Sequence, residues 1–335
     1  MWFEKLTGFT EESHNQVQHN ISINDGIMTS LANDKSYSCG RLEIPTLAEL
    51  RERSALLYYN DNQLKLTELV ANVQDLYNDS ANVGAMFQVA SQFNLLEMVG
   101  PRRTPEDGVD MYEDDATQGP ASAIACGAAT IYRNYFVNVN GSIGQTSDNQ
   151  VDCLQDIGNE LNNDNLQLWQ MRNGYALADM YGLERINNIL KGYTASQYDN
   201  LKSKIRIGVQ WNAEVTLNHR KDKVNQAFCS ALPVAYSNVG SKLWERFARL
   251  VLEATYEATF RTALINYERP NGNLKGNNKL FLTLVGGGAF GNETEWVIDA
   301  ISKSLKLFRN TPLDVRIVSY GSSRREVREL IENFH

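Results

Sequence analysis

The chain has 335 residues, which is enough for one elaborate domain or two small ones. Apolar residues at 42%, charged residues at 21% and a net charge of −8 describe a globular protein without the basic surface that nucleic-acid binding requires. No apolar run is long enough to cross a membrane and the polar, acidic start is unlike a signal peptide, so we expect a cytoplasmic protein with neither nucleic-acid nor membrane partners.

The first elements are predicted from local patterns. "GRLEIPTLAELRERS" predicts a short strand followed by a helix that begins near Pro45 and Thr46. Apolar residues at helical spacing predict a second helix at about 63–77, and "MFQVA" predicts a buried strand at Met86–Ala90. A loop follows, and Thr117 as N-cap with Pro120 in the first turn predicts a helix over 117–136.

The rest of the chain alternates between strand and helix patterns. The predicted elements are strands within 205–217 and 227–236, a helix at about 241–267, a strand at 279–285, a helix at 293–308, a strand at 314–319 and a helix from about 323. This alternation predicts an α/β fold whose parallel or mixed sheet is covered on both faces. We expect one domain, with an N-terminal extension (1–78), a core (79–140 and 201–335) and a mainly helical insertion (141–200).

A glycine-rich segment, "FLTLVGGGAFGN", occupies residues 281–292 and satisfies G-x-G-x-x-G between a predicted strand and a predicted helix. A Rossmann site is disfavoured because few residues follow and Asp314 begins the next strand instead of ending it. A Walker A loop is disfavoured because Asn292 and Glu293 replace its Lys-Ser/Thr pair. The remaining interpretation is a phosphate-binding loop before a helix that Asn292 and Glu295 cap.

An acidic segment, "TPEDGVDMYEDDATQGPA", forms the second feature. It carries six carboxylates, Glu106, Asp107, Asp110, Glu113, Asp114 and Asp115, before a predicted helix. Carboxylates in such a loop can activate water, bind a ribose diol or hold Mg²⁺ or Ca²⁺, although the EF-hand spacing is absent. The four histidines form no H-E-x-x-H motif and the four cysteines form no C-x-x-C motif. We therefore expect acid-base chemistry by Asp or Glu, reduced thiols, and neither a cofactor nor a metal.

Together the two segments resemble the macrodomain superfamily, which binds ADP-ribose between two loops at the carboxyl ends of a mixed sheet. "MFQVASQFNLLE", the acidic segment and "TQGPA" are similar to its first strand and catalytic loop. "FLTLVGGGAFGNETEWVIDAISKSLKLF" and "DVRIVSYGS" are similar to its diphosphate loop, helix and next strand. The chain looks closest to poly(ADP-ribose) glycohydrolase-like members and to effectors that remove ADP-ribose from ubiquitin, although the glycohydrolases' paired glutamates are absent.

The resemblance implies a three-layer α/β/α fold and a set of site residues. It implies catalytic roles for Asp107, Asp110 and Asp115. The implied ligand-binding residues are Gln88, Asn94, Thr117, Gln118, Gly119, Gly286, Gly287, Gly288, Ala289, Phe290, Gly291 and Asn292. The implied activity is ADP-ribosyl hydrolysis at the distal ribose of an ADP-ribosylated protein such as ubiquitin. The alternative is a module that binds ADP-ribose or another nucleotide without turnover.

Overall fold

The computed structural model describes residues 1–54, 63–269 and 276–334, so His335, one of the four histidines, lies outside the described residues. The strands are β1 Ile21–Asn24, β2 Ile27–Ser30, β3 Ser36–Ser38, β4 Arg41–Glu43, β5 Lys65–Val70, β6 Met86–Ala90, β7 Asn138–Val139, β8 Ser142–Ile143, β9 Gln170–Arg172, β10 Tyr175–Leu177, β11 Gly208–Glu214, β12 Lys223–Cys229, β13 Lys279–Leu282 and β14 Asp314–Ser319. The helices are α1 Trp2–Thr7, α2 His14–Asn20, α3 Leu47–Ser54, α4 Val73–Asn78, α5 Gln118–Ala125, α6 Gly127–Tyr135, α7 Gln155–Glu160, α8 Asn163–Leu166, α9 Met180–Gly192, α10 Ala195–Lys202, α11 Ser241–Glu268, α12 Thr294–Leu307 and α13 Arg325–Phe334.

A mixed sheet forms the centre of the molecule, with the strand order β4-β11-β12-β6-β13-β14-β5. Strands β12, β6, β13, β14 and β5 pair in parallel, whereas β4 and β11 pair antiparallel at one side. Parallel neighbours end at the same edge of a sheet. The chain segments that follow β6, β12, β13 and β14 are therefore brought together.

Side chains of the central strands alternate between two helical layers. Leu280 and Leu282 belong to the core cluster that includes α11, α9 and α12, whereas Phe281 points to the cluster that includes α4, α5 and α6. On that second face Phe87 stacks between Tyr77 and Phe281, with ring centroids 4.1 and 4.5 Å away. Helices cover both faces of the sheet, which confirms the predicted three-layer α/β/α fold.

Three predicted elements were wrong in detail. The predicted helix at 63–77 is strand β5 followed by the short helix α4, because the backbone of 65–70 pairs in parallel with β14. The helix predicted over 117–136 breaks at Cys126, whose φ and ψ of −117° and 60° separate α5 from α6. The strand predicted within 227–236 ends at Cys229, and a turn of 3-10 helix follows at Val234–Tyr236.

The segments predicted as extension and insertion contribute strands and core residues to the main fold. The two strands at the edges of the main sheet, β4 and β5, both come from the predicted extension at 1–78. The predicted insertion at 141–200 contributes Leu154, Leu183 and Ile186 to the main core, and a hairpin, β9–β10, interrupts its helices. Both segments are integral to the fold. Among the described residues, no helix combines the length and apolarity needed to cross a bilayer.

Candidate active site

A cleft of about 380 Å³ lies at the carboxyl edge of the sheet. Ala90, Thr283 and Val318, at the ends of β6, β13 and β14, line its base. Residues 115–120 form one side and residues 284–290 form the other. The two segments singled out in the sequence therefore meet at one site, at the edge where α/β sheets usually bind ligands.

Glycine is required at two positions of the loop after β13. Gly286 and Gly291 have left-handed φ angles of 76° and 70°. A Cβ on Gly286 would lie 2.4 Å from the Cβ of Ala231. The loop closes where the N–H of Asn292 donates to the carbonyl of Gly286 at 2.9 Å and its side-chain amide donates to the carbonyl of Leu232 at 2.8 Å. The glycines and Asn292 therefore fix a compact loop that packs against the segment after β12.

Asn292 does not cap the helix that follows. The N-cap of α12 is Glu293, without a side-chain cap, and Glu295 instead forms an ion pair with Arg249 at 2.9 Å. The predicted capping box of Asn292 and Glu295 was therefore wrong. The side chain of Asn292 is needed to close the glycine loop, which is the stronger local demand.

Backbone donors are available on both sides of the cleft. Within the described residues, the N–H groups of Gly286, Gly288, Ala289 and Phe290 donate to no other group, and neither do those of Gln118 and Gly119 at the start of α5. All six residues line the cleft. Unpaired N–H groups in a glycine loop and at a helix N-terminus are suited to a phosphate or diphosphate.

Close packing brings the start of α5 against the end of β6. A Cβ on Gly119 would lie 2.5 Å from the carbonyl oxygen of Ala90 and 2.6 Å from Oε2 of Glu97. Gln118 is held by the N–H of Val73, which donates to its Oε1 at 2.8 Å. Only glycine at 119 allows the helix to begin this close to the strand end.

The acidic segment brings one of its three predicted catalytic carboxylates to the cleft. Asp115 lines it, and its Oδ1 accepts the N–H of Thr117 at 2.8 Å. Asp107 instead accepts the N–H of Thr104 at 2.8 Å and closes a turn. Asp110 accepts the N–H of Phe3 at 3.3 Å, and burial raises the pKa of Asp110 above its ordinary value. The geometry places Asp107 and Asp110 outside the cleft.

Two predicted ligand-binding side chains also lie away from the cleft. Asn94 is fully buried, and its amide donates to Oε1 of Gln150 at 2.8 Å. Gln88 lies in the core, where it donates to Oγ1 of Thr259 and accepts the N–H of Thr283. Both amides hold protein segments together. Of the predicted set, Asp115, Thr117, Gln118, Gly119 and Gly286 to Phe290 line the cleft, whereas Gln88, Asn94, Asp107, Asp110, Gly291 and Asn292 do not.

A second carboxylate, Glu97, lines the cleft and was missed in the sequence. Its side chain is 95% buried, and Oε1 has no hydrogen-bond partner among the described residues. Burial raises the pKa of Glu97 well above its ordinary value, the charge of Arg133 lowers it and the charge of Asp115 raises it. Burial therefore makes the carboxyl of Glu97 hold its proton more tightly than an exposed glutamate does. The sequence signal for Glu97 was a single acidic residue within the mainly apolar segment "FNLLEMV".

An aromatic corner, formed by Tyr175, Tyr236 and Phe290, closes one end of the cleft. Their ring centroids are 5.0 to 5.7 Å apart, and the hydroxyl of Tyr175 donates to the carbonyl of Met98 at 2.9 Å. Tyr175 comes from β10 and Tyr236 from the turn after β12. Neither position carries a sequence signal, because only the tertiary fold brings them to Phe290. Aromatic faces of this kind pack against a ribose or a base.

Arg324 supplies the positive charge among the described residues that line the cleft. Its backbone N–H donates to Oε1 of Glu68 at 3.0 Å, and the carboxylate of Glu68 also accepts the hydroxyls of Ser319 and Ser323 at 2.6 Å. The segment after β14 is thus fixed to β5. A guanidinium at this position can complement a phosphate.

In the described ranges, no group of three or more His, Cys, Asp or Glu side chains is arranged to hold a metal ion. All four cysteines are buried and free. Among the described residues that line the cleft, the carboxyl groups are those of Asp115 and Glu97.

A scan against protein-family models and a search of curated proteins both find no match. Solved structures with a similar fold include poly(ADP-ribose) glycohydrolase from Thermomonospora curvata, at 9% identity and a TM-score of 0.46 over 96% of each chain. The enzyme from Deinococcus radiodurans in complex with ADP-ribose matches at 9% identity and a TM-score of 0.45, over 88% of this chain and 95% of the other. At these identities no residue role is transferred, and the roles proposed below depend on this chain's own cleft.

Proposed function

We propose that the protein is an ADP-ribosyl hydrolase, which binds ADP-ribose in the cleft and cleaves the bond at C1″ of the distal ribose of an ADP-ribosylated protein such as ubiquitin. One observation carries the proposal. A loop with free backbone donors and two carboxylates of different environment, Asp115 and Glu97, line the same cleft at the carboxyl edge of the sheet.

Binding is assigned to the two sides of the cleft. The N–H groups of residues 286–290 and of Gln118 and Gly119 would hold the diphosphate, assisted by Arg324. The aromatic corner would pack on a sugar or the base. A volume of about 380 Å³ lies within the range of small-molecule sites, about 300–1,000 Å³. Positioning of the ribose by remote contacts is itself a large part of catalysis.

The chemistry is assigned to the two carboxyl groups. Asp115, oriented by the N–H of Thr117, would accept a proton from a water molecule as the water oxygen attacks C1″. The bond from C1″ to the acceptor breaks, and Glu97, whose pKa is raised by burial, would give its proton to the leaving atom. Carboxyl groups with different proton affinities are a common pair for breaking glycosidic bonds.

Release of ADP-ribose from mono-ADP-ribosylated ubiquitin tests the proposal. We expect the wild-type protein to release ADP-ribose, detected by mass spectrometry, and Asp115→Asn to slow the release at least about 100-fold. Calorimetry should show that Asp115→Asn still binds ADP-ribose with a Kd within about threefold of wild type, because backbone donors hold the diphosphate. Asp107→Asn is the matched control and should retain wild-type turnover.

The outcomes separate the alternatives. Binding of ADP-ribose by wild type without release from any modified protein would favour a module that recognises the ligand without turnover. A wild-type rate in Asp115→Asn would remove the catalytic assignment. The absence of binding at millimolar ADP-ribose would refute both functions.

A further inference from the structure

A second groove, here the outer groove, lies beyond the acidic segment and has a volume of about 780 Å³. It runs between α1, the acidic segment, the residues before α4 and the turn at 216–218. Asp115, Ala116, Gln118 and Tyr320 line both the outer groove and the cleft. The two cavities therefore share one wall, and the proposed catalytic carboxylate is part of it.

This shared wall fixes where an acceptor must lie. In the proposed reaction the bond that breaks joins the distal ribose to the acceptor, and Asp115 acts at that bond. A substrate that continues past Asp115 out of the cleft enters the outer groove. The outer groove has about twice the volume of the cleft. It is therefore larger than the space that a water molecule or a small leaving group would occupy.

The walls of the outer groove are held by hydrogen bonds. The backbone N–H of Trp2 donates to Oε2 of Glu113 at 2.8 Å, and its indole N–H donates to the carbonyl of Val109 at 3.2 Å. These bonds join α1 to the acidic segment across more than a hundred residues of sequence. The groove is thus a defined feature of the fold that positions both Lys5 and Glu113 at its rim.

The charge of the residues that line the outer groove indicates which of two ligands it favours, a second ADP-ribose unit or a peptide. Among its described lining residues, Glu113 and Asp115 are acidic and Lys5 alone is basic. A further ADP-ribose unit would place a diphosphate beside those two carboxylates, which is unfavourable. A peptide that carries Lys or Arg side chains is complementary. The exposed side-chain amide of Asn218 has no hydrogen-bond partner among the described residues and can pair with a peptide backbone.

We propose that the outer groove binds the acceptor polypeptide and favours a positively charged peptide segment over a second ADP-ribose unit. This inference rests on the proposed hydrolase function. It adds the class of substrate, a protein modified within a positively charged segment. The enzyme would then recognise the residues that flank the modified position as well as the ADP-ribose.

Two synthetic peptides test the inference. Both carry ADP-ribose on the same central residue, one flanked by lysines and the other by glutamates, and kcat/KM for ADP-ribose release is measured at low and high salt. We expect wild type to prefer the basic peptide about three- to tenfold at low salt, and less at high salt. Glu113→Lys should abolish the preference and Lys5→Glu should increase it. Glu332→Lys, an exposed charge reversal on α13, is the control and should leave it unchanged.

The opposite signs expected for Glu113→Lys and Lys5→Glu distinguish electrostatics from misfolding. Among the described residues, the side chain of Lys5 forms no hydrogen bond or ion pair that could be lost, so a rise in preference cannot come from damage to the fold. Equal rates for both peptides in wild type, Glu113→Lys and Lys5→Glu, with ADP-ribose release intact, would overturn the acceptor groove alone. Faster turnover of poly(ADP-ribose) than of either peptide would indicate that the outer groove binds the polymer, and would contradict a peptide site. No release from any substrate would refute the proposed function itself.

Discussion

The two loops that line the cleft are stabilised in different ways. The glycine loop is held by its own residues and by the segment after β12, through Asn292 and the left-handed Gly286. The acidic segment is held from the N-terminal region: Glu11 accepts the N–H groups of Val109 and Asp110 at 2.9 and 2.7 Å and the hydroxyl of Tyr135 at 2.7 Å. The glycine loop is thus anchored to the segment after β12, whereas the acidic segment is anchored to the N-terminal region. A substitution in the N-terminal region should therefore affect catalysis by the acidic segment more than binding by the glycine loop.

We expect the largest effect from replacing Glu11 by alanine, because Glu11 holds the acidic segment in place. Loss of this half-buried carboxylate would leave two backbone donors and one hydroxyl without their acceptor, so we expect the free energy of unfolding to fall by about 2–4 kcal/mol. The rate of ADP-ribose release should fall more than tenfold because Asp115 is carried by the loosened segment. Urea denaturation and single-turnover kinetics measure the two effects.

The control for this variant is Glu12→Ala. Glu12 is exposed and its side chain makes no hydrogen bond within the described residues, so stability and rate should both stay near wild type. If Glu11→Ala weakened ADP-ribose binding as strongly as it slowed release, the two loops would not be independent, and the comparison would be wrong.

The glycine loop is tested by a pair of alanine substitutions. A Cβ on Gly286 would clash with Ala231 and would require a left-handed backbone, so Gly286→Ala should weaken ADP-ribose binding about tenfold, as measured by calorimetry. Gly288 has open space around its Cβ position, so Gly288→Ala should change the Kd less than about threefold. Equal effects would show that the loop conformation does not determine binding.

The smallest effect concerns the pH dependence of stability. Because the pKa of Glu97 is raised by burial, the folded protein holds this proton more tightly than the unfolded chain does. Its contribution to stability is fully present below the unfolded pKa of about 4.3 and is lost as the pH rises through the folded pKa. Glu97→Gln removes this titration. The unfolding free energy of wild type should therefore fall relative to that of Glu97→Gln as the pH is raised from about 4, and parallel curves would contradict the assignment.

The difference between the loops also explains how much the sequence predicted. The sheet covered on both faces, the strand at Met86–Ala90 and the long helix α11 follow from local periodicity, and the structure confirms these elements. The glycine loop was found from its glycine spacing. The choice among Asp107, Asp110 and Asp115 could not be made, because contacts with Phe3 and Thr104 decide which carboxylate faces the cleft.

The remaining site residues depend on tertiary structure alone. Tyr175 and Tyr236 reach Phe290 through separate chain segments, and no spacing in the sequence joins them. The apolar spacing of residues 65–70 predicts a helix. These residues form an edge strand instead, because β14 supplies a pairing partner. Glu97 is the one missed residue with a usable signal, since a lone acid in an apolar run is costly to bury without a role.

The central claim is that the cleft between the two loops is an ADP-ribose site. Calorimetric titration of ADP-ribose into the wild-type protein, repeated with Gly286→Ala, tests it most directly. We expect one site per chain, with a dissociation constant that Gly286→Ala raises about tenfold. An absence of heat at millimolar ADP-ribose, or equal affinity in both proteins, would contradict it.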